Sequence, residues 1–203
     1  MIKKYFLTAL CLLAFLINAN CQTEKFTSRL YFPGAIGINI PSGDQQTSIR
    51  SGFTLNTAME YRPQYTNAIF FRFNYDALTN HYKSILSQLP TNVTSGKLSA
   101  AFFMVGAGYR RKLNGISVYG LIQPGYNSSG YDAVTNNSSG VAVNSISRNY
   151  PALKISAGIE YYLAPHFALV METGYYHLFE HSRTYILNPD YVSYSIGFTT
   201  TLF

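Results

Sequence analysis

The sequence predicts an all-β protein, an eight-stranded antiparallel barrel of the up-and-down type. Three observations predict this fold: segments of about 10 to 14 residues alternate apolar with polar or small side chains, turn-forming residues separate the segments, and short and long connections alternate along the chain. The eight segments are 28–40, 48–62, 68–78, 98–113, 116–127, 151–163, 167–180 and 191–203.

The alternation gives each segment an apolar and a polar face, because successive side chains of a strand point to opposite sides. In the sixth segment every odd-numbered residue from 153 to 163 is apolar or aromatic, whereas Lys154 and Glu160 are even-numbered. The same division recurs in the second segment, where Glu60 opposes the apolar face, and in the third, where Arg72 and Asp76 do so. One face of the whole sheet is therefore predicted to be apolar.

The short connections keep these two faces matched. The Asn-Gly pair at 114–115 predicts a two-residue hairpin turn, which sets Arg110 beside Tyr119. A five-residue loop over 63–67 sets Ala58 beside Arg72. The longer connections, rich in Ser, Asn, Thr and Gly, are 41–47, 79–97, 128–150 and 181–190.

The alternation of short and long connections favours a membrane-spanning barrel. An even number of antiparallel strands, with short turns at one rim and longer loops at the other, is typical of a transmembrane β-barrel. A soluble barrel would turn its apolar face inward, where an eight-stranded lumen could not hold so many aromatic side chains. We therefore expect the apolar face to contact lipid and the polar face to line the lumen.

The N-terminus has the pattern of a secretory signal peptide. Two lysines precede an uncharged apolar run from 5 to 17, and small residues follow at Ala19 and Cys21. The run is shorter than the roughly 20 residues of a transmembrane helix. We predict a signal peptide over 1–21 and a barrel domain over 22–203, with lipid modification of Cys21 as the alternative.

Composition excludes several function classes. Only 12% of residues are charged, and the formal charge of +6, or +4 without the signal's Lys3 and Lys4, is spread along the chain. No basic run has the density that nucleic-acid binding needs. The remaining cysteine, Cys11, lies in the signal, so disulfides and thiol chemistry are not expected. We predict no cofactor and no metal site.

The chain resembles the small outer-membrane β-barrel family, which includes the OmpA membrane domain and OmpX-like proteins. The resemblance rests on Tyr109, the stretch 157–165 and the end of the chain from Ile196 through Leu202 and Phe203. The signal ending before Gln22 is similar to those of Bacteroidota. The resemblance implies the bacterial outer membrane, both termini at the periplasmic rim, and a C-terminal assembly signal that is assigned to Phe198, Leu202 and Phe203.

Seven charged side chains are predicted on the inner face, where each needs a partner because an unpaired buried charge is costly. They are Glu60, Arg72, Asp76, Arg110, Lys154, Glu160 and Glu172. We interpret them as a structural, salt-bridged plug, with Arg72 and Arg110 compensating the three glutamates and with Lys154 and Asp76 nearer the loop-rich rim. The alternative is a conducting polar pathway.

A histidine-rich stretch at the end of the seventh segment invites comparison with lipid-modifying barrel enzymes. It contains His177, Glu180, His181 and Ser182. A nucleophile and its base must meet within hydrogen-bond reach, yet His177 has the lipid-facing parity and Ser182 begins a loop. We predict no catalytic residues.

The sequence therefore predicts a non-enzymatic outer-membrane barrel that acts as a scaffold or surface-interaction protein. Its expected partners are outer-membrane lipid and lipopolysaccharide, the barrel-assembly machinery during insertion, and an outer-membrane protein partner as a further candidate. Recognition of a surface partner would fall on the loops 82–97 and 131–148. The alternatives are a narrow pore for small solutes, an accessory subunit of a larger outer-membrane complex and, last, a lipid-modifying enzyme.

Overall fold

The described residues form eight antiparallel strands that close into a barrel. The computed structural model describes residues 29–42, 49–63, 68–83, 95–137, 140–164, 166–179 and 190–201. Each strand pairs with its sequence neighbours, and the first pairs with the last. The strands are β1 Leu30–Ser42, β2 Gly52–Tyr61, β3 Ile69–Lys83, β4 Ser95–Leu113, β5 Ile116–Asn137, β6 Gly140–Ala164, β7 Phe167–Leu178 and β8 Asp190–Thr200. The predicted fold class is confirmed.

The two predicted faces lie on opposite sides of the barrel wall. In β7 the outward Met171 is 62% exposed, whereas the inward neighbours Val170 and Ala168 are 5% and 0% exposed. The same alternation follows the other strands and leaves a wall of exposed Ile, Leu, Phe, Met and Tyr side chains. Within the described ranges, no helix is long and apolar enough to cross a membrane.

The hairpin at 114–115 has the predicted geometry. Asn114 and Gly115 both have positive φ, at 27° and 86°, as a two-residue hairpin turn that follows the strand twist requires. Asn and Gly are the residues that adopt this conformation most readily. The predicted pair of Arg110 with Tyr119 is confirmed.

The hairpin between β2 and β3 has a different register from the predicted one. Arg72 lies opposite Glu60, and Ala58 lies opposite Asn74, so the pairing differs by two residues. The faces are unchanged, because a shift of two residues keeps every side chain on its own side. Opposite charges across a strand pair stabilise it, which accounts for the Glu60 and Arg72 register.

The segment 131–148, predicted as a loop, is instead a paired β-hairpin. β5 continues to Asn137 and β6 begins at Gly140, with Val134 opposite Val143. β-Branched residues at alternate positions favour extended strands, and here they outweigh the Ser and Asn content that predicted a loop. The segment 82–97 is likewise partly strand, since β3 ends at 83 and β4 begins at 95. The wall formed by β3 to β6 is therefore taller than the opposite wall.

Candidate functional site

All seven charged residues that the sequence placed on the inner face point into the lumen. Strand alternation puts them there: they belong to β2, β3, β4, β6 and β7 at inward positions. Glu60, Asp76 and Lys154 are fully buried, and only Arg110 and Glu172 keep a slight exposure. Charges at this depth are stable only when they are paired and hydrogen-bonded.

An eighth charge, Arg62, joins this cluster and was missed by the sequence reasoning. Its guanidinium contacts Glu60, binds Glu160 Oε1 at 2.7 Å and donates to the Tyr162 hydroxyl at 2.8 Å. It also lies 3.6 Å from the centre of the Tyr31 ring, a cation–π contact. Arg62 follows the last residue of β2 and is 2% exposed. Arg62 is the last residue of the predicted segment 48–62 and has the same parity as Glu60, so counting to the end of that segment would have found it.

In the described part of the chain the eight charges form one continuous row in which acids and bases alternate. Arg72 links Glu60 at 2.6 Å to Glu172 at 2.7 Å, and Arg62 links Glu60 to Glu160. Lys154 extends the row from Glu172 at 3.1 Å to Asp76 at 2.8 Å, and Arg110 ends it at Glu160, 3.3 Å away. In order, the row is Arg110, Glu160, Arg62, Glu60, Arg72, Glu172, Lys154 and Asp76.

Two tyrosines bind acids near the Asp76 end of this row. The Tyr119 hydroxyl donates to Glu172 at 2.6 Å, and the Tyr176 hydroxyl donates to Asp76 at 2.9 Å. Gly158 makes room for the Tyr119 ring, which a Cβ at position 158 would strike. With four acidic and four basic groups among the described residues, the row has no net formal charge, and its charged groups are bonded to one another.

An apolar cluster fills the lumen beyond the charges, toward the loop-rich rim. Phe102 is fully buried, with its ring centre 4.8 Å from that of Tyr176 and 6.4 Å from that of Tyr191. The described members of the cluster are Leu78, Ala100, Phe102, Met104, Ala152, Tyr176, Leu178 and Tyr191. The sequence reasoning missed this cluster, because β4 is apolar on both faces here and shows no alternation.

Two described spaces adjoin the charged row: one of about 440 Å³ at the wall beside Tyr119 and Glu172, which outward residues such as Met171 also line, and a much smaller one. A cavity of about 20 Å³ lies beside Arg72 and Glu172, and Asn56 and Asn74 also line it. A volume of this size holds about one water molecule. The charged row and the apolar cluster are both built from buried side chains of the described lumen.

The histidine-rich stretch is only partly described. His177 Nδ1 lies 3.0 Å from Asp190 Oδ2, and its ring packs edge-on against Phe179 at 4.8 Å. Glu180, His181 and Ser182 lie outside the described residues. Among the side chains the structure describes, no group of three or more His, Cys, Asp or Glu is arranged to hold a metal ion.

The predicted assembly signal is also partly described. Phe198 points outward, 47% exposed, and stacks on Phe167 with ring centres 5.7 Å apart. Leu202 and Phe203 lie outside the described residues, as do the predicted signal peptide and Cys21.

Comparison with known proteins identifies relatives of this architecture. The profile of a family described as "Outer membrane protein beta-barrel domain" matches residues 7–200. No curated protein matches the chain in sequence.

Several solved structures are similar to this one. Neisserial surface protein A superposes with a TM-score of 0.61 at 17% identity, over 85% of this chain and 97% of that chain. The outer membrane protein OprG from Pseudomonas aeruginosa gives 0.56 at 12% identity, over 84% and 94%. The attachment invasion locus protein Ail of Yersinia pestis, in complex with the heparin analogue sucrose octasulfate, gives 0.50 at 14% identity, over 85% and 99%. At these identities the likeness concerns the fold.

Proposed function

Because the chain belongs to the family of outer membrane protein β-barrel domains, which places it in the outer membrane, we propose that it acts there as a non-enzymatic scaffold or surface-interaction protein with a closed lumen. The observation that carries this proposal is the filled lumen. A conducting barrel needs a continuous path of water through its lumen. The charged row and the apolar cluster would each block such a path. The barrel wall and its rims are then the surfaces on which the protein acts.

The two barriers oppose ions by different physical means. In the charged row the acidic and basic side chains are bound to one another. A passing ion would therefore have to break an ion pair between two side chains. In the apolar cluster around Phe102 an ion would lose its hydration without finding a polar partner. Arg110 stands at the end of the row, so its loss alone would leave both barriers standing.

We propose that the N-terminal segment 1–21 is removed as a signal peptide and that the short-turn rim, where β1 begins and β8 ends, faces the periplasm. The alternation of short turns and tall outer elements supports this orientation. The β5–β6 hairpin would then rise above the outer surface as a paired two-stranded ribbon, since its strands pair to Asn137 and Gly140. A surface partner would meet this ribbon first.

The absence of enzymatic activity is part of the proposal. The acids and bases of the described lumen are bonded to one another, which leaves no unpaired group there to act on a substrate. At the rim, His177 is engaged with Asp190 on the outward face. An unchanged lipid A profile in cells that carry His181→Ala and Ser182→Ala variants would agree with this assignment.

Single-channel conductance in a planar bilayer tests the closed lumen. The wild-type protein is expected to give no steady current, and so is Arg110→Ala. The double variant Arg62→Ser/Phe102→Ser, which removes one element of each barrier, is expected to leak. Far-UV circular dichroism of each preparation confirms that the barrel has folded, and a known porin confirms that the bilayer reports insertion. Steady, ion-selective current in the wild type would refute the closed lumen and establish the narrow-pore alternative.

A further inference from the structure

The small cavity beside Arg72 and Glu172 adjoins a buried polar atom that no described group binds. Asn56 lines this cavity and is 6% exposed, and its Oδ1 has no hydrogen-bond partner among the residues that the structure describes. A buried amide oxygen without a partner is costly, because it has given up its bonds to solvent. Such an atom beside a cavity points to a small ligand that donates a hydrogen bond.

Small side chains on β1 and β2 leave this space in the lumen. Pro33 and Ala35 of β1 and Ala58 of β2 have inward positions and line the cavity. Ala35 is the register partner of Asn56, so both residues stand at the same height in the barrel. The cavity volume is about 20 Å³, and a water molecule needs roughly 10 to 15 Å³ of such volume. The cavity therefore has room for one molecule of the size of water.

The charges that line the cavity favour a neutral ligand. Arg72 would repel a cation, and Glu172 would repel an anion. The two groups are paired with each other at 2.7 Å, so together they bring no net charge to the site. Water suits both, because it accepts from a guanidinium and donates to a carboxylate or an amide oxygen. With Asn56 Oδ1, these groups supply the two to four polar partners that a buried water needs.

A water at this position would complete a ring of hydrogen bonds across the lumen. Asn56 Nδ2 donates to the Tyr176 hydroxyl at 3.3 Å, and that hydroxyl donates to Asp76 at 2.9 Å. Lys154 continues the ring from Asp76 at 2.8 Å to Glu172 at 3.1 Å. The step that no described bond makes lies between Glu172 and Asn56 Oδ1, and both residues line the cavity. One molecule that donates to both would close the ring.

We propose that the cavity binds a single structural water, which donates to Asn56 Oδ1 and to Glu172 and accepts from Arg72. The water joins the charged row to β2 at a second point, besides the ion pair of Arg72 with Glu60. Three hydrogen bonds are the usual number for a buried water, and such waters are costly to remove. This water is therefore a structural part of the barrel.

Water-selective solid-state NMR of the full chain in lipid bilayers tests the site. The probe is water itself, and the readout is transfer of proton magnetisation from water to the side-chain amides of asparagine. We expect transfer to Asn56. None is expected to Asn39, which is fully buried, is bonded to Phe53 and Asn80, and does not line the cavity. Asn114, in the exposed hairpin turn, is the positive control.

Two alanine-to-valine variants separate the cavity from the rest of the barrel. Ala58→Val adds two methyl groups at the cavity and is expected to abolish the transfer to Asn56. Ala107→Val is the matched control, because it makes the same change on the outer face, opposite Ile122, and should leave the transfer unchanged. Far-UV circular dichroism of each preparation confirms that the barrel has folded.

Three outcomes would overturn the inference. The first is no transfer to Asn56 in the wild type while transfer to Asn114 is intact, and this spectrum decides even where Ala58→Val fails to fold. The second is undiminished transfer to Asn56 in folded Ala58→Val, which would place the water outside the cavity. The third is equal transfer to Asn56 and Asn39, which would mean a water-filled lumen and would refute the closed lumen as well. The first two leave the closed lumen standing, because the conductance measurement is independent of them.

Discussion

Replacement of Arg62 by alanine tests whether the charged row acts as one unit. Arg62 is the only described link between Glu160 and Glu60, and its loss splits the row and leaves one more acid than base. The change removes two buried ion pairs and the hydrogen bond to Tyr162. Breaking a buried pair by deleting one partner costs about 3 to 5 kcal/mol. We expect Arg62→Ala to fall at the lower end, because both carboxylates keep a second cation.

Arg110→Ala is the matched comparison. Arg110 ends the row, makes one ion pair at 3.3 Å and keeps a slight exposure, and Glu160 would still hold Arg62 after its loss. We expect a cost of about 2 kcal/mol, because its hydrogen bonds to Glu160 and to the Tyr162 hydroxyl are both lost. Arg62→Lys should recover only part of the lost stability, because an ammonium has no planar fork with which to bind two carboxylates at once.

The assay is equilibrium unfolding in urea with the protein inserted in lipid vesicles. The chain has no tryptophan and 18 tyrosines, so tyrosine fluorescence and far-UV circular dichroism are the two probes. Their transitions should coincide if unfolding is two-state. Equal destabilisation by Arg62→Ala and Arg110→Ala, or a cost below about 1 kcal/mol for Arg62→Ala, would refute the view that a central link matters more than a terminal one.

Two further predictions follow from the described side chains. Gly158→Ala should cost about 1 to 3 kcal/mol in the same assay, because its Cβ would strike the Tyr119 ring, whereas Gly120→Ala meets nothing within 4 Å and should be nearly neutral. Removal of Phe203, the proposed end of the assembly signal, should lower the yield of folded barrel in cells more than Phe71→Ala, which removes a lipid-facing aromatic elsewhere. The yields are measured by heat-dependent gel mobility. Equal yields of these two variants would refute the assignment of Phe203 to an assembly signal.

The lining of the lumen could be predicted largely by counting along each strand. Parity alone assigned Glu60, Arg72 and Glu172 to one face. In a membrane barrel the outer face of each strand contacts lipid, so charged side chains belong on the inner face. Parity also holds for Arg62, which has the inward, even-numbered position at the end of the predicted segment 48–62 but was not counted among the inner charges. The pairing of particular charges depends on the register and curvature of the closed barrel, which one sequence does not specify.

The apolar cluster and the tall hairpin escaped prediction for opposite reasons. Around Phe102 and Met104 both faces of β4 are apolar, so the pattern indicates burial without saying on which side. In the β5–β6 hairpin the Ser and Asn content indicates a loop, but valines such as Val134 and Val143 support strand pairing as far as Asn137 and Gly140. Local composition there predicts a loop, whereas the structure contains two paired strands.

The alternating row also has a consequence for the way the barrel enters the membrane. Arg62 and Glu160 are 98 residues apart in sequence, and Arg72 and Glu172 are 100 apart. A partly assembled sheet that contains β2 and β3 but lacks β6 and β7 would therefore expose charges whose partners have not yet arrived. Because such charges are costly in hydrocarbon, half-inserted sheets are disfavoured, and closure becomes nearly all-or-none. Only a complete set of the strands that supply the row therefore satisfies all of its charges.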